Sequence, residues 1–313
     1  MVQQHFYSDI FGLFMKREPR KKIEHLPEIP ELVFEKPIGG GFFSQVYYGS
    51  YNGTIPVAIK VIQRGSEQTV NNEIELLNQL FGLHHIVQLL KVYDTEYRIL
   101  VFKHIDSIDS NYFFVHISPK RFHRVLKYLV RAIKYAHMKG IVHRDIKLGN
   151  ILILKHFQDL VLIDWGCGCK VTNEMSPKAG SRTCRSPEML LGYNDYGYGC
   201  DMWALGVFIL YTLCKGSVPW KANSSFDVLV KMAPYFGSSP FFDLSEKYYL
   251  SMSCELAEEI SSCERKAFSD IIVLKELADS DLMDLMLSLL CIDPEHRLKS
   301  NNVLQHRYFS HKY

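Results

Sequence analysis

Residues 141–153, IVHRDIKLGNILI, decide how this chain reads. Two apolar, β-branched runs enclose His143, Arg144, Asp145, Lys147 and Asn150, so a short polar loop is pinned at both ends by strand-like segments. Any one of these side chains alone would read as a solvated loop residue. A carboxylate, an ammonium and an amide at this joint spacing, anchored by Ile151, Leu152 and Ile153, point to a site instead. A second apolar run follows in VLIDWGCGCKV, residues 161–171, and ends in Asp164 with Cys167 and Cys169 just beyond it. The cysteine pair reads either as half of a zinc site or as two small hydrophobes. A zinc site takes about four ligands, normally in close pairs, and the other cysteines, at 184, 200, 214, 254, 263 and 291, lie singly. Reduced, structural cysteines are therefore expected, whereas the oxygens of Asp164 and Asn150 suit a hard cation.

Upstream, the runs LVFEKPIGGG, SQVYYGSYNGTIPVAIKVI and IVQLLKVYDTEYRILVF, with Asn52-Gly53 as a hairpin turn, predict an antiparallel sheet of about five strands over 32–103. One helix interrupts it: NNEIELLNQLFG, with Ile74, Leu77 and Leu80 along one face and Gly82 as a stop. Beyond residue 118 the chain turns helical. Phe122, Val125, Leu126, Leu129, Val130, Ile133 and Ala136 repeat at helical spacing, started by Ser118-Pro119 and stopped by Gly140, and DMWALGVFILYTLCKG and SDLMDLMLSLLCIDP continue the pattern. The expected fold class is α+β and bilobal, with a β-rich N-lobe carrying one main helix, a helical C-lobe and a cleft near 102–106. The expected boundaries are an N-terminal extension 1–31, a domain 32–309 (N-lobe 32–102, hinge 103–106, C-lobe 107–309) and a tail 310–313.

At 313 residues, 47% hydrophobic and 22% charged, the chain has globular composition, which argues against a disordered or fibrous protein. A net charge of +2 gives no global field for coating nucleic acid, so no direct nucleic-acid partner is expected. In the extension, Phe6, Ile10, Leu13 and Phe14 sit at helical spacing, and Lys16, Arg17, Arg20, Lys21 and Lys22 read as a solvated basic linker, with nuclear targeting second. No apolar run approaches the ~18 residues of a membrane span, and the first residues do not fit a signal peptide. Nucleus, with cytoplasm as the second location, is the expectation.

Taken in order, Gly39-x-Gly41, Lys60, Glu73, His143-Arg144-Asp145-Ile146-Lys147 with Asn150, and Asp164-Trp165-Gly166 resemble the motif series of the eukaryotic protein kinases, over about Leu32 to Phe309. The resemblance implies ATP and Mg2+ as cofactors. It implies that Asp145 accepts the proton of a substrate hydroxyl, that Lys147 neutralises the transferred phosphoryl group, and that Asn150 and Asp164 hold the metal. Lys60, paired with Glu73, would hold the α- and β-phosphates. The glycine loop, Ile38, Gly39, Gly40, Gly41, Phe42, Phe43, Ser44, Gln45 and Val46, would cover the nucleotide, and Ala58, Phe102, Ile105 and Leu152 would complete the adenine pocket. Ser44 stands where the family usually has its third glycine. The same resemblance pairs Glu188 with Arg297 and gives Asp201 and Ser181 bracing roles.

Lys147 within HRDIKxxN resembles the serine/threonine class. IGGGFFSQVY, NEIELLNQLFG and AGSRTCRSPEML are similar to the cell division control protein 7 family, and Asp164-Trp165-Gly166, LVFKHID and FGSSPFFDLSEKY are nearly as similar to the casein kinase 2 catalytic subunit. Val70-Asn71-Asn72 replaces the lysine-rich stretch of casein kinase 2, which favours the former. Both relatives imply protein substrates in an acidic or phosphorylated context, which Arg182 and Arg185 would read. An activating regulatory subunit is a candidate partner, and a role in cell-cycle or DNA-replication control follows from the resemblance. A catalytically silent scaffold is the rival of a different class. Trp165, with an indole N–H that phenylalanine lacks, is expected to donate a hydrogen bond that holds Asp164 inward.

Overall fold

The computed structural model describes residues 25–41 and 43–310. The expectations for residues 1–24, for Phe42 and for 311–313 fall outside the described residues. The chain forms two compact units: residues up to 65 with 91–101, and residues 66–90 with 102 onward.

The first unit is built on a sheet of β1 (Leu32–Gly40), β2 (Ser44–Tyr51), β3 (Ile55–Ile62), β4 (Leu89–Asp94) and β5 (Arg98–Lys103), in the order β1-β2-β3-β5-β4. β1–β2 and β2–β3 are antiparallel. Asn52 and Gly53, both at positive φ, turn β2 into β3, as the Asn-Gly signal predicts. Along β3, Val57, Ile59 and Val61 are fully buried while Ala58 and Lys60 alternate to the other face, the period-2 pattern of a half-buried strand. Those three residues, with Leu32, Tyr47, Ile99 and Val101, make the core of this unit.

The second unit begins with α1 (Glu67–Gln79), capped by Ser66, whose hydroxyl accepts from Thr69 N–H. Its buried face carries Val70, Glu73, Leu76 and Leu77; Ile74, expected on that face, is only half-buried. Residues 66–90, expected with the N-lobe, belong to the larger unit because this face packs on the stretch after Asp164. Asn72 donates to Gly168 O at 2.9 Å, and Lys170 pairs with Glu75 at 3.1 Å. There follow α2 (Ser110–His116) and α3 (Pro119–Met138), which starts at Ser118 with Pro119 in its first turn and stops at Gly140, φ 75°. Three short antiparallel elements, β6 (Ile141–Val142), β7 (Ile151–Ile153) and β8 (Leu160–Leu162), then carry the polar loop, and β9 (Cys169–Lys170) pairs with β6. Next come α4 (Pro187–Leu190), α5 (Gly199–Leu213), α6 (Ser225–Phe236), α7 (Ser239–Lys247), α8 (Cys254–Ser261), α9 (Ser280–Leu289) and α10 (Ser300–Val303). α5 is buried nearly all round, the mark of a helix at the centre of a core. The mixed content, a sheet unit and a helical unit, is the expected α+β class.

Candidate active site

Pairing of β6 with β9 sets Val142 opposite Cys169, so the two signature stretches of the sequence lie side by side. The loop leaving β6 is braced from below by Asp201, in the first turn of α5 and 1% exposed. Its carboxylate accepts the backbone N–H of His143 at 2.8 Å and of Arg144 at 2.7 Å, and lies 3.0 Å from His137 Nε2. Burial pushes the Asp201 carboxyl upward, but the His137 contact and the bonds at His143 outweigh it, so it sits below its ordinary range. These bonds hold Arg144 at φ 67°, a left-handed conformation that residues with a Cβ rarely adopt and that recurs at functional sites. His143 Nδ1 accepts from Asp145 N–H at 3.2 Å and its Nε2 faces Ile163 O at 2.9 Å, which selects the Nε2–H tautomer.

Asp145 follows, 6% exposed. Its Oδ2 accepts from Lys147 Nζ at 2.7 Å and from Asn150 Nδ2 at 3.0 Å, and its Oδ1 accepts the Ser181 N–H at 2.8 Å. The carboxylate is thus held in place from both of its oxygens by the chain itself. Burial raises this carboxyl's pKa, yet the Lys147 ammonium and the Ser181 bonds lower it further, leaving Asp145 ionised below its ordinary value. Burial works against the Lys147 ammonium too, but the Asp145 carboxylate outweighs it and raises the lysine's pKa. Lys147 also donates to Ser181 Oγ at 2.8 Å.

Asn150 Nδ2 donates to Asp145 twice, at the backbone O (2.8 Å) and at Oδ2 (3.0 Å). Ile163 N–H donates to Asn150 O at 2.9 Å, so the chain just before Asp164 is tied to the same loop. Asp164 itself is exposed and left-handed, φ 61°. A Cβ on Gly166 would lie 3.3 Å from Glu73 Oε2 and 3.5 Å from Asp164 Oδ1, so two carboxylates close on that glycine. Asn150 and Asp164 offer oxygen donors only, a set that fits a hard divalent cation. Among the described residues no three or more His, Cys, Asp or Glu converge as a metal cluster. The thiols of Cys167 and Cys169 are pushed up by burial, and that of Cys184 to about 12. They are protonated sulfurs rather than thiolate ligands.

In the first unit, Gly39 pairs with Val46 and Gly40 with Gln45, and Gly41 N–H donates to Ser44 O at 2.8 Å. A Cβ on Gly41 would meet nothing within 4 Å and one on Gly39 would only touch Val46 at 4.0 Å. The protein's own packing therefore does not require glycine at these two positions, as expected where a ligand must approach the backbone. Ile38 and Phe43 are exposed, Ala58 and Lys60 half-buried on β3, and Lys60 stands opposite Val46. In the larger unit, Glu73 and Phe102 are buried, while Ile105 and Leu152 are half-buried.

The segment after Asp164 is held by contacts the sequence did not announce. Arg144 Nε donates to Cys167 O at 2.6 Å and its Nη1 to the Tyr196 hydroxyl at 3.0 Å, which in turn donates to Ser176 O at 2.8 Å. Burial, partly offset by Arg144, pushes the Tyr196 phenol up to about 12, so it stays a donor. Gly180, φ 69°, passes so close to the loop that a Cβ would lie 1.9 Å from Arg144 O. Arg185 spends its guanidinium on the carbonyls of Ala179 (2.9 Å), Gly180 (2.9 Å) and Lys178. Arg182 donates to Asn223 O, while its buried Nε makes no hydrogen bond among the described residues. The two arginines expected to read substrate together thus have different surroundings.

The hydrogen bond expected of Trp165 does not form. Its ring is fully buried, edge-on to His143 at 4.6 Å, and its Nε1–H has no partner among the described residues. The ring fills space rather than tethering Asp164. The family model for the protein kinase domain matches residues 32–309.

Proposed function

The chain belongs to the protein kinase domain family, and from that premise we propose that it is a serine/threonine protein kinase that uses ATP with Mg2+. The observation that carries the reading is the Lys147 ammonium, 2.7 Å from Asp145 Oδ2 and 2.8 Å from Ser181 Oγ. Bound ATP and its cation supply an electrophilic γ-phosphoryl group and a leaving ADP oxygen. Asp145, ionised and held in place, orients the substrate hydroxyl and takes its proton as the new O–P bond forms and the β,γ O–P bond breaks. Lys147 balances the charge that gathers on the moving phosphoryl oxygens. Asn150 and Asp164 supply the amide and carboxylate oxygens for the cation. Ile38 to Val46, Ala58, Lys60, Glu73, Phe102, Ile105 and Leu152 are the residues assigned to the nucleotide.

Purified wild type should transfer radiolabelled phosphate from ATP-Mg2+ to serine or threonine of a protein substrate, and Asp145→Asn should remove that transfer. Wild type without transfer would favour the scaffold reading; label on tyrosine would overturn the acceptor class.

The resemblance to the cell division control protein 7 family supports substrates in an acidic or phosphorylated context, a nuclear role in cell-cycle or replication control and an activating subunit. Arg182 is the better candidate for reading such substrates, since Arg185 already serves three carbonyls. A peptide library showing no acidic preference around the acceptor would remove this part. One observation favours the casein kinase 2-like alternative of constitutive activity: Arg144, Tyr196 and Arg185 hold the segment after Asp164 through neutral acceptors of the chain itself.

A further inference from the structure

A cavity lies in the larger unit, away from the loop of Asp145. It is a cavity of 530 Å3 walled by the end of α6, by α7, by Phe268 and by the turn after α9. Phe236, Leu244, Phe268, Leu287, Leu290 and Ile292 make the apolar wall. The volume falls within the roughly 300–1,000 Å3 range of binding pockets, and the apolar wall reaches the protein surface. Leu287, on α9, is 48% exposed.

The rim is net negative: Asp243, Asp293 and Glu295 outnumber Lys247. Asp243 and Asp293 line the cavity, and Glu295 adjoins it through Lys247, whose Nζ lies 2.8 Å from both Asp293 and Glu295. That lysine, the cation of the wall, is thereby already matched by two acids, and Asp243 accepts from the Ser239 hydroxyl at 3.2 Å. The other titratable group of the wall, His296, faces Asp293 at 2.8 Å. From 243 to 295 the chain carries thirteen acidic and four basic residues, in a protein whose overall charge is +2. The net negative rim of an apolar cavity, set in an acidic stretch of the chain, selects cationic partners and repels anionic ones.

We propose that this cavity is a docking site for a cationic amphipathic segment of a partner protein, with an apolar or aromatic side chain seated against Leu244 and Phe268 and flanking Lys or Arg side chains over Asp243 and Asp293. The mode is that of a helix laid into a groove, with apolar anchors and charged flanks. It stands on the cavity and its charge and is independent of the catalytic reading above.

The test uses the full chain and a fluorescein-labelled synthetic probe of about eighteen residues, long enough for a helix, built of Leu and Lys at amphipathic spacing. A Leu/Glu peptide of the same spacing is the control. Anisotropy titration should show saturable binding of the Leu/Lys probe that weakens as salt rises. Leu287→Ser and Asp243→Lys should each weaken it by about tenfold or more, the loss expected of an anchor or its matching charge. Both positions are exposed, so thermal melts should stay at the wild-type midpoint. Absence of binding, equal binding of the Leu/Glu peptide, or wild-type affinity in both variants would overturn the proposal. Self-association of the chain that Leu287→Ser abolishes would place a second copy on this face, and would overturn it as well.

Discussion

Arg297→Ala offers the most direct test of how the larger unit is held together. Arg297 and Glu188 are both fully buried at their side chains, joined by a two-pronged contact, Nη1 to Oε1 at 2.8 Å and Nη2 to Oε2 at 2.9 Å. The remaining guanidinium hydrogens go to the carbonyls of Cys291, Gly199 and Ile292 at 2.9, 2.8 and 3.1 Å, and the plane lies 5.2 Å from the Trp203 ring. Removing the arginine leaves Glu188 as a buried charge without its counter-ion and three carbonyls without a donor. Breaking one side of such a pair costs about 3–5 kcal/mol. With each kcal/mol worth about 2–4 °C in a unit of this size, the melting midpoint should fall by about 6–20 °C. Urea unfolding followed by circular dichroism gives the free energy directly, with an unchanged slope showing that the unfolded state is the same. Arg297→Lys keeps the charge but loses the fork, so it should fall between wild type and Arg297→Ala. Glu188→Leu combined with Arg297→Met should recover much of the loss, because a packed apolar pair carries no stranded charge. A loss below about 1 kcal/mol for Arg297→Ala, or a double variant as unstable as the sum of its parts, would refute the reasoning.

Other outcomes follow from the site. Gly180→Ala must move either the segment or the loop, because its Cβ would fall 1.9 Å from Arg144 O at φ 69°; kcat should drop by about a hundredfold, the scale of an ångström-level misplacement, while circular dichroism shows the fold intact. Tyr196→Phe strips Arg144 of a neutral acceptor and Ser176 O of its donor, and should cost about 1–3 kcal/mol in urea unfolding. Asp145 is depressed below its ordinary 3.8, so its carboxylate persists from neutrality down past that value and its contribution to stability is lost only as pH falls through the lower folded pKa. The pH–rate profile should accordingly show no acid limb from Asp145 above 3.8, and a limb near neutrality that shifts in Asp145→Glu would contradict this. Trp165→Phe removes a buried donor that has no partner among the described residues, which offsets the smaller ring, so unfolding free energy should change by less than about 1 kcal/mol and activity should persist.

What the sequence made legible was what it stores locally. The strand periodicity of β3, the Asn-Gly turn and the Ser118-Pro119 start of α3 are each written within a few neighbouring residues, and each formed. The polar loop was legible for the same reason: Asp145, Lys147 and Asn150 are close in sequence, and they bond to one another. Contacts across long separations were not. Nothing near Tyr196 marks it as the acceptor of Arg144, 52 positions earlier, and Gly180 looks like any turn glycine until Arg144 O is seen beneath it. The Trp165 expectation failed because an indole N–H announces a capacity to donate, whereas only packing decides whether an acceptor lies in its path. The cavity wall draws on residues scattered from 235 to 296, which no short window of sequence brings together.

Asp201 gives the loop of Asp145 a kinetic property. The amide hydrogens of His143 and Arg144 end on a carboxylate that belongs to α5, a helix buried nearly all round. Local opening of the loop cannot release them unless α5 itself comes apart. In hydrogen exchange these two amides should therefore rank with the slowest of the core, exchanging only through global unfolding, although they sit beside the residues assigned to chemistry. Amides of exposed stretches such as 172–174 should exchange orders of magnitude sooner. Heating toward the melting transition would then cost the protein its loop geometry and its core in a single event, and the residual activity curve should superimpose on the unfolding curve.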